Sequence, residues 1–202
     1  MATLITDHDL EERLIAERQS TGADRYDEVW DGTYMMTPLA NIEHQFLIQR
    51  ISQSLQAVLG WDAPPYVFPG VNLSDRRKGW ENNFRCPDLA VFLAGNSAVH
   101  CGTHWCGGPD WLMEIASTGD HTRQKVPFYS QIGVGEMLIL DRQPWRLELY
   151  QPRDGALVEV ARASVGDPAL QCAKLPISFA LVVGKERPGV EIVAPPGGRW
   201  VV

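Results

Sequence analysis

Two short runs in the middle of the chain, Leu89 to Leu93 (LAVFL) and Trp111 to Ala116 (WLMEIA), are apolar at nearly every position. A strand with one wet face alternates in polarity. A strand without a polar face has to be covered on both sides, as when helices lie above and below a sheet. That requirement points to an α/β fold, and the rest of the chain supplies the cover. Between Pro38 and Leu59 the residues Ile42, Phe46, Leu47, Ile51, Leu55 and Val58 recur at steps of three and four. Pro38 suits a first turn and Gly60 a stop, which predicts a helix over 38–59. A shorter amphipathic helix is predicted over 7–19, with Asp7 or Asp9 as its N-cap.

Asp31-Gly32 predicts a β-hairpin over 26–37, and Asp154-Gly155 a second one joining 145–152 to 156–163. In the latter, Trp145, Leu147 and Leu149 alternate with Arg146, Glu148 and Tyr150, which predicts one solvated face. After Gly166 the periodicity fades and Pro and Gly become frequent, so a short terminal arm or edge strand with a loose end is expected. The expected organisation is a helical arm at 1–25, a main domain at 26–165, and an extension at 166–202 packing on it.

Composition narrows the function classes. With 202 residues, 45% of them hydrophobic, the chain is neither disordered nor a coiled coil. Its net charge of −7 argues against coating nucleic acid through the whole surface, because that mode needs many phosphates neutralised. The four cysteines form no disulfide framework, and the first residues lack a basic stretch followed by an apolar one. A cytoplasmic location is therefore expected. No apolar run approaches the ~20 residues of a membrane span, so no membrane partner is expected.

Chemistry concentrates around the two apolar strands. Asp88 opens the first, and Glu114 lies inside the second between Met113 and Ile115. A buried carboxylate is costly unless paired or bound to a cation. Glu43-His44 lies in the long helix before them, and His121, Arg123 and Lys125 follow, a set that points to a hard-cation site with oxygen ligands. Two other clusters stand apart. Cys101-x-x-His104-x-Cys106 offers soft ligands but has no second pair to complete a zinc site. Arg76, Arg77, Lys78 and Arg85 with Trp80 form a basic stretch of the kind that touches phosphates or bases.

The motifs D-G-x-Y-x-M-x-P, His44 inside the next helix, C-P-D-L-A-V-F, M-E-I-A-S-T, K-x-x-x-Y and G-V-x-E-M-L-I-L-D run in order from Asp27 to Tyr150. Together they resemble the bacterial group of Uma-type restriction endonucleases within the PD-(D/E)xK nuclease superfamily. The resemblance implies a restriction-endonuclease-like fold, a mixed central β-sheet flanked by helices with β-hairpin extensions. It also implies Mg²⁺- or Mn²⁺-dependent hydrolysis of DNA phosphodiesters by a homodimer. Asp88, Glu114, the main-chain carbonyl of Ile115 and His44 would hold the metal. The superfamily lysine belongs two residues after the glutamate, where this chain has Ala116; K-x-x-x-Y places the basic residue at Lys125, with Tyr129 after it. Two departures stand out. His121 occupies a position that is usually acidic, and Pro127 interrupts the helix expected over 121–133. They motivate the alternative of a catalytically silent nuclease-fold module that binds nucleic acid or protein. A zinc-stabilised module built on Cys101, His104 and Cys106 is a third reading.

Overall fold

The computed structural model describes residues 8–117 and 119–202. In chain order they form α1 (His8–Thr21), β1 (Glu28–Trp30), β2 (Thr33–Met35), α2 (Ile42–Leu59), β3 (Tyr66–Pro69), β4 (Leu73–Ser74), β5 (Phe84–Arg85), β6 (Leu89–Phe92), β7 (Val99–His100), β8 (Trp105–Cys106), β9 (Trp111–Ala116), α3 (Val126–Gln131), β10 (Met137–Arg142), β11 (Trp145–Arg153), β12 (Ala156–Ser164), β13 (Leu170–Gln171), β14 (Ser178–Val182), β15 (Gly189–Ala194) and β16 (Gly198–Val201).

The central sheet has the order β12-β11-β10-β9-β6-β3, with β9 and β10 parallel and the other neighbours antiparallel. A parallel pair needs a crossover. Here a 3₁₀ turn (Thr122–Lys125) running into α3 provides it. Both faces of β6, β9 and β10 are buried, as their apolar runs require. On one face Leu89, Val91, Trp111 and Met113 pack with Leu47, Ile51 and Leu55 of α2. On the other, Ala90, Phe92, Leu112 and Ile139 pack with Phe128 and Tyr129 of α3. No helix among the described residues is long and apolar enough to cross a membrane.

Both hairpins form at the two dipeptides. Asp31 and Gly32 have φ of 48° and 86°, and Asp154 and Gly155 have 51° and 82°. Positive φ at both central residues is the turn whose twist matches the flanking strands. The first hairpin continues through β5 into a second mixed sheet, order β2-β1-β5-β4-β8-β7.

Four expectations need correction. Asp7 lies outside the described residues, and the helix beginning at His8 buries none of its side chains. Arg18 ties it to the domain, donating to both carboxylate oxygens of Asp27 at 2.5 and 2.6 Å. The long helix begins at Ile42 rather than Pro38, because extended Asn41 caps it by accepting the His44 N–H at 2.9 Å. Ile42 and Phe46 are consequently exposed. The face of β11 expected to be wet is covered at Glu148, where Arg123 and Arg146 bring guanidinium donors to 2.7–3.0 Å. The terminal segment is not loose. β13–β16 form a third sheet whose Phe179, Val190 and Ile192 join the α2-side core, and Phe179 stacks on Trp111. The buried Glu136 fastens this segment by accepting from the Ala173 N–H and the Gln151 amide.

Candidate active site

Asp88 lies at the start of β6, just outside its ladder with β9. The register Leu89↔Met113, Ala90↔Leu112 continues by one step to set Asp88 opposite Glu114, on the α3 side of the sheet. Asp88 Oδ2 accepts the Ile115 N–H at 2.7 Å, so the side chain takes over a backbone donor near the strand end. Its Oδ1 accepts from His44 Nε2 at 2.8 Å. His44 reaches that point because Asn41 starts the helix beside the sheet end. Arg142 at the end of β10 holds the corner, donating to Asn41, Glu43 and Ser117.

Glu114 is buried at the centre of the cluster. Its Oε1 accepts from the Tyr129 hydroxyl at 2.5 Å and from Lys125 Nζ at 3.0 Å. Lys125 Nζ also lies 2.8 Å from Glu28 Oε1. That oxygen accepts the Cys86 N–H as well, and Glu28 Oε2 accepts the Trp30 indole N–H at 2.7 Å. Burial, together with the charges of Asp88 and Glu28, pushes the Glu114 carboxyl up to about 8, against the opposing pull of Lys125. For Lys125, burial acts downward but is outweighed by Glu114 and Glu28, which hold the ammonium above its ordinary range. In the metal-free fold the two carboxylates therefore favour the ammonium form of Lys125.

The structure therefore brings His44, Asp88, Ile115, Glu114 and Lys125 together, with Lys125 delivered by the 3₁₀ turn. Pro127 falls in the first turn of α3, where its missing N–H leaves no helical bond unmade. Asp120, one residue away from the expected acidic position, caps the turn by accepting from the Ser117 and Thr122 N–H groups. His121 packs edge-on against Trp30, and neither ring nitrogen has a partner among the described residues. Sequence reasoning missed Glu28. The available signal was an acidic residue inside the short strand beside Asp31-Gly32, a position that burial permits only to a paired carboxylate.

The donor set fits a hard divalent cation in kind. It is rich in carboxylate oxygens, with Asp88 and Glu28 both acting on the buried Glu114. As folded, no three His, Cys, Asp or Glu side chains among the described residues surround one point. Lys125 bridges Glu28 and Glu114, and His44 occupies one oxygen of Asp88. The contact shown for Ile115 is its N–H.

The soft-ligand cluster does not assemble. Both ring nitrogens of His104 are engaged, by the Thr103 hydroxyl and the Arg76 carbonyl, and the ring stacks on Trp80 at 4.7 Å. This corrects the zinc reading, and it makes Trp80 a packing residue as well.

No curated protein matches the chain. Among solved structures, the fold is similar to that of a chain described as a putative nuclease belonging to DUF820 from Anabaena variabilis, with a TM-score of 0.58 and 14% identity over 72% of this chain and 80% of that one. Residues 12–184 match the sequence model of Uma2, described as "Putative restriction endonuclease". Spanning most of the 202 residues and carrying the carboxylate–lysine cluster at its centre, that match makes this chain a member of the Uma2 family.

Proposed function

We propose that the protein is a metal-dependent nuclease that hydrolyses DNA phosphodiesters, working in the cytoplasm as a two-fold dimer. The observation that carries this reading is Lys125 Nζ, held 3.0 Å from Glu114 and 2.8 Å from Glu28 although position 116 is alanine. The cation that the superfamily pattern requires is supplied from the following helical segment.

Asp88 and Glu114, with His44 and the Ile115 carbonyl, would hold Mg²⁺ or Mn²⁺. A bound divalent ion there supplies Lewis-acid polarisation of the phosphate and an acidified water. The chain's own residues perform the rest. His44 and the Ile115 N–H fix the two oxygens of Asp88, and Tyr129 orients Glu114. Lys125, as the ammonium, neutralises negative charge that builds up on the phosphorus oxygens. A two-fold dimer would present one such site to each strand of a duplex.

One observation favours a silent binding module: the Lys125 ammonium is already shared between two carboxylates. Titration of Mg²⁺ and Mn²⁺ with plasmid cleavage measured alongside decides between the two. Cleavage that rises with the ion supports the nuclease, and tight ion binding without cleavage supports the module.

A further inference from the structure

Arg85 is only 4% exposed, and its guanidinium lies between two rings, 4.5 Å from Trp30 and 4.2 Å from Phe128. Among the described residues its hydrogen bonds fall on Nη1 and reach neutral acceptors, the Val29 and Phe84 carbonyls and the Asn83 amide oxygen. Nε is buried without a partner, and among the described residues Arg85 forms no ion pair. Burial depresses its pKa. Glu28, Asp31 and Asp75 favour its charged form, but none pairs with it directly, so burial still dominates and an anion entering from solvent would offset that cost.

A pocket of about 480 Å³ has Arg85 in its lining, together with Trp30, Thr33, Gln124, Phe128 and Gln131. It shares walls with the carboxylate–lysine cluster. The Trp30 indole N–H is bonded to Glu28, Gln124 precedes Lys125, and Phe128 precedes Tyr129. Asp31 also stands at the rim, but it is exposed on the hairpin turn, where water screens it. The two rings hold the planar guanidinium in place and partly dry, which strengthens its attraction for two oxygens of a phosphate.

We propose that this pocket is a phosphate subsite, in which Arg85 with the side-chain amides of Gln124 and Gln131 holds a phosphate group of a nucleic-acid strand beside the Glu28–Glu114–Lys125 cluster. Placing the strand there rests on the nuclease reading; the affinity for phosphate does not require cleavage.

The test is calorimetric titration of the full chain in EDTA with thymidine, inorganic phosphate, thymidine 5′-monophosphate and the unphosphorylated dinucleotide TpT. Binding of the phosphate-bearing compounds but not of thymidine is expected. TpT separates an internal diester from the terminal monoester of the mononucleotide. Gln124 and Gln131 are exposed, so Gln124→Glu and Gln131→Glu should leave the fold intact and together weaken phosphate binding about tenfold or more through like-charge repulsion. Arg85→Lys, which keeps the charge and loses the fork, should weaken it too. Equal behaviour of thymidine and its monophosphate, or full affinity in the double glutamate variant, overturns the subsite. Phosphate binding without plasmid cleavage under Mg²⁺ would instead count against the nuclease reading and leave the subsite standing.

Discussion

Lys125 Nζ lies 3.0 Å from Glu114 Oε1, joining the 3₁₀ turn before α3 to the buried centre of β9. Position 116 is alanine, so the cation beside Glu114 comes from Lys125, 11 residues further along the chain. Because Glu28 shares the same ammonium, the hairpin, the sheet and the crossover are tied at one point.

Glu114→Gln keeps the shape and can still accept from Tyr129 and Lys125, while Lys125 retains Glu28. In the absence of divalent ions the melting midpoint should stay level or rise, because a carboxyl whose ionisation is opposed by burial, Asp88 and Glu28 has been replaced by a neutral amide. Stabilisation by Mg²⁺, read as the shift in midpoint on adding the ion, should vanish together with plasmid cleavage. A variant that loses ~1–3 kcal/mol irrespective of the ion would mean that Glu114 is only a structural acceptor.

Lys125→Met removes the positive charge and leaves Glu28 and Glu114 facing each other without a counterion. The ion-free protein should lose about 3–5 kcal/mol in denaturant unfolding, the cost of stranding buried charge. Added Mg²⁺ should restore much of that loss, since mass action favours the state that binds the ion. Cleavage should remain absent. If Mg²⁺ fails to rescue the variant, the carboxylates are not ion ligands.

Glu148 should contribute to the acid limb of stability. Burial alone would raise its carboxyl, but Arg123 and Arg146 outweigh burial and hold it below its ordinary value of 4.5. A group depressed on folding contributes stability that is complete above the unfolded value and is lost as pH falls through the folded one. The unfolding free energy should therefore decline below about pH 4.5, and Glu148→Gln should flatten that decline. An unchanged acid limb in the variant would show that the arginine network adds nothing. Because Arg123 sits two residues before Lys125, the variant should also turn over more slowly at pH 7.

Asp27 anchors the first helix and the hairpin together, accepting from Arg18, from the Tyr34 hydroxyl at 2.9 Å and from the Thr37 N–H at 2.6 Å. Asp27→Asn leaves the Arg18 charge without its partner and should cost about 1–3 kcal/mol. Hydrogen exchange should quicken first in α1, which has no buried side chains of its own to hold it. Uniform exchange across the chain would refute the anchoring role.

Sedimentation velocity at tens of micromolar should show a dimer. In a dimer, the hairpin of β11 and β12 at the edge of the central sheet would offer the contact surface. A monomer at those concentrations removes the case for cutting both strands within one assembly.

The local features were legible in the chain because local physics sets them. Asp-Gly pairs tolerate positive φ, so both hairpins fall where the dipeptides are. The apolar runs at 89–93 and 111–116 cannot face water, so they became doubly covered strands, and the two carboxylates among them stood out by their cost. Other features arise only when distant segments meet. Nothing near Glu148 in sequence announces that Arg123 will cover it, and the faint periodicity after Gly166 hides a sheet whose residues are buried by Trp111 and its neighbours. Glu28 looked like one acid among the many in this chain until the hairpin carried it to Lys125, across almost a hundred residues of sequence. Its burial depends on the sheet, the crossover and the hairpin closing on one another, and that closure is a property of the tertiary structure alone.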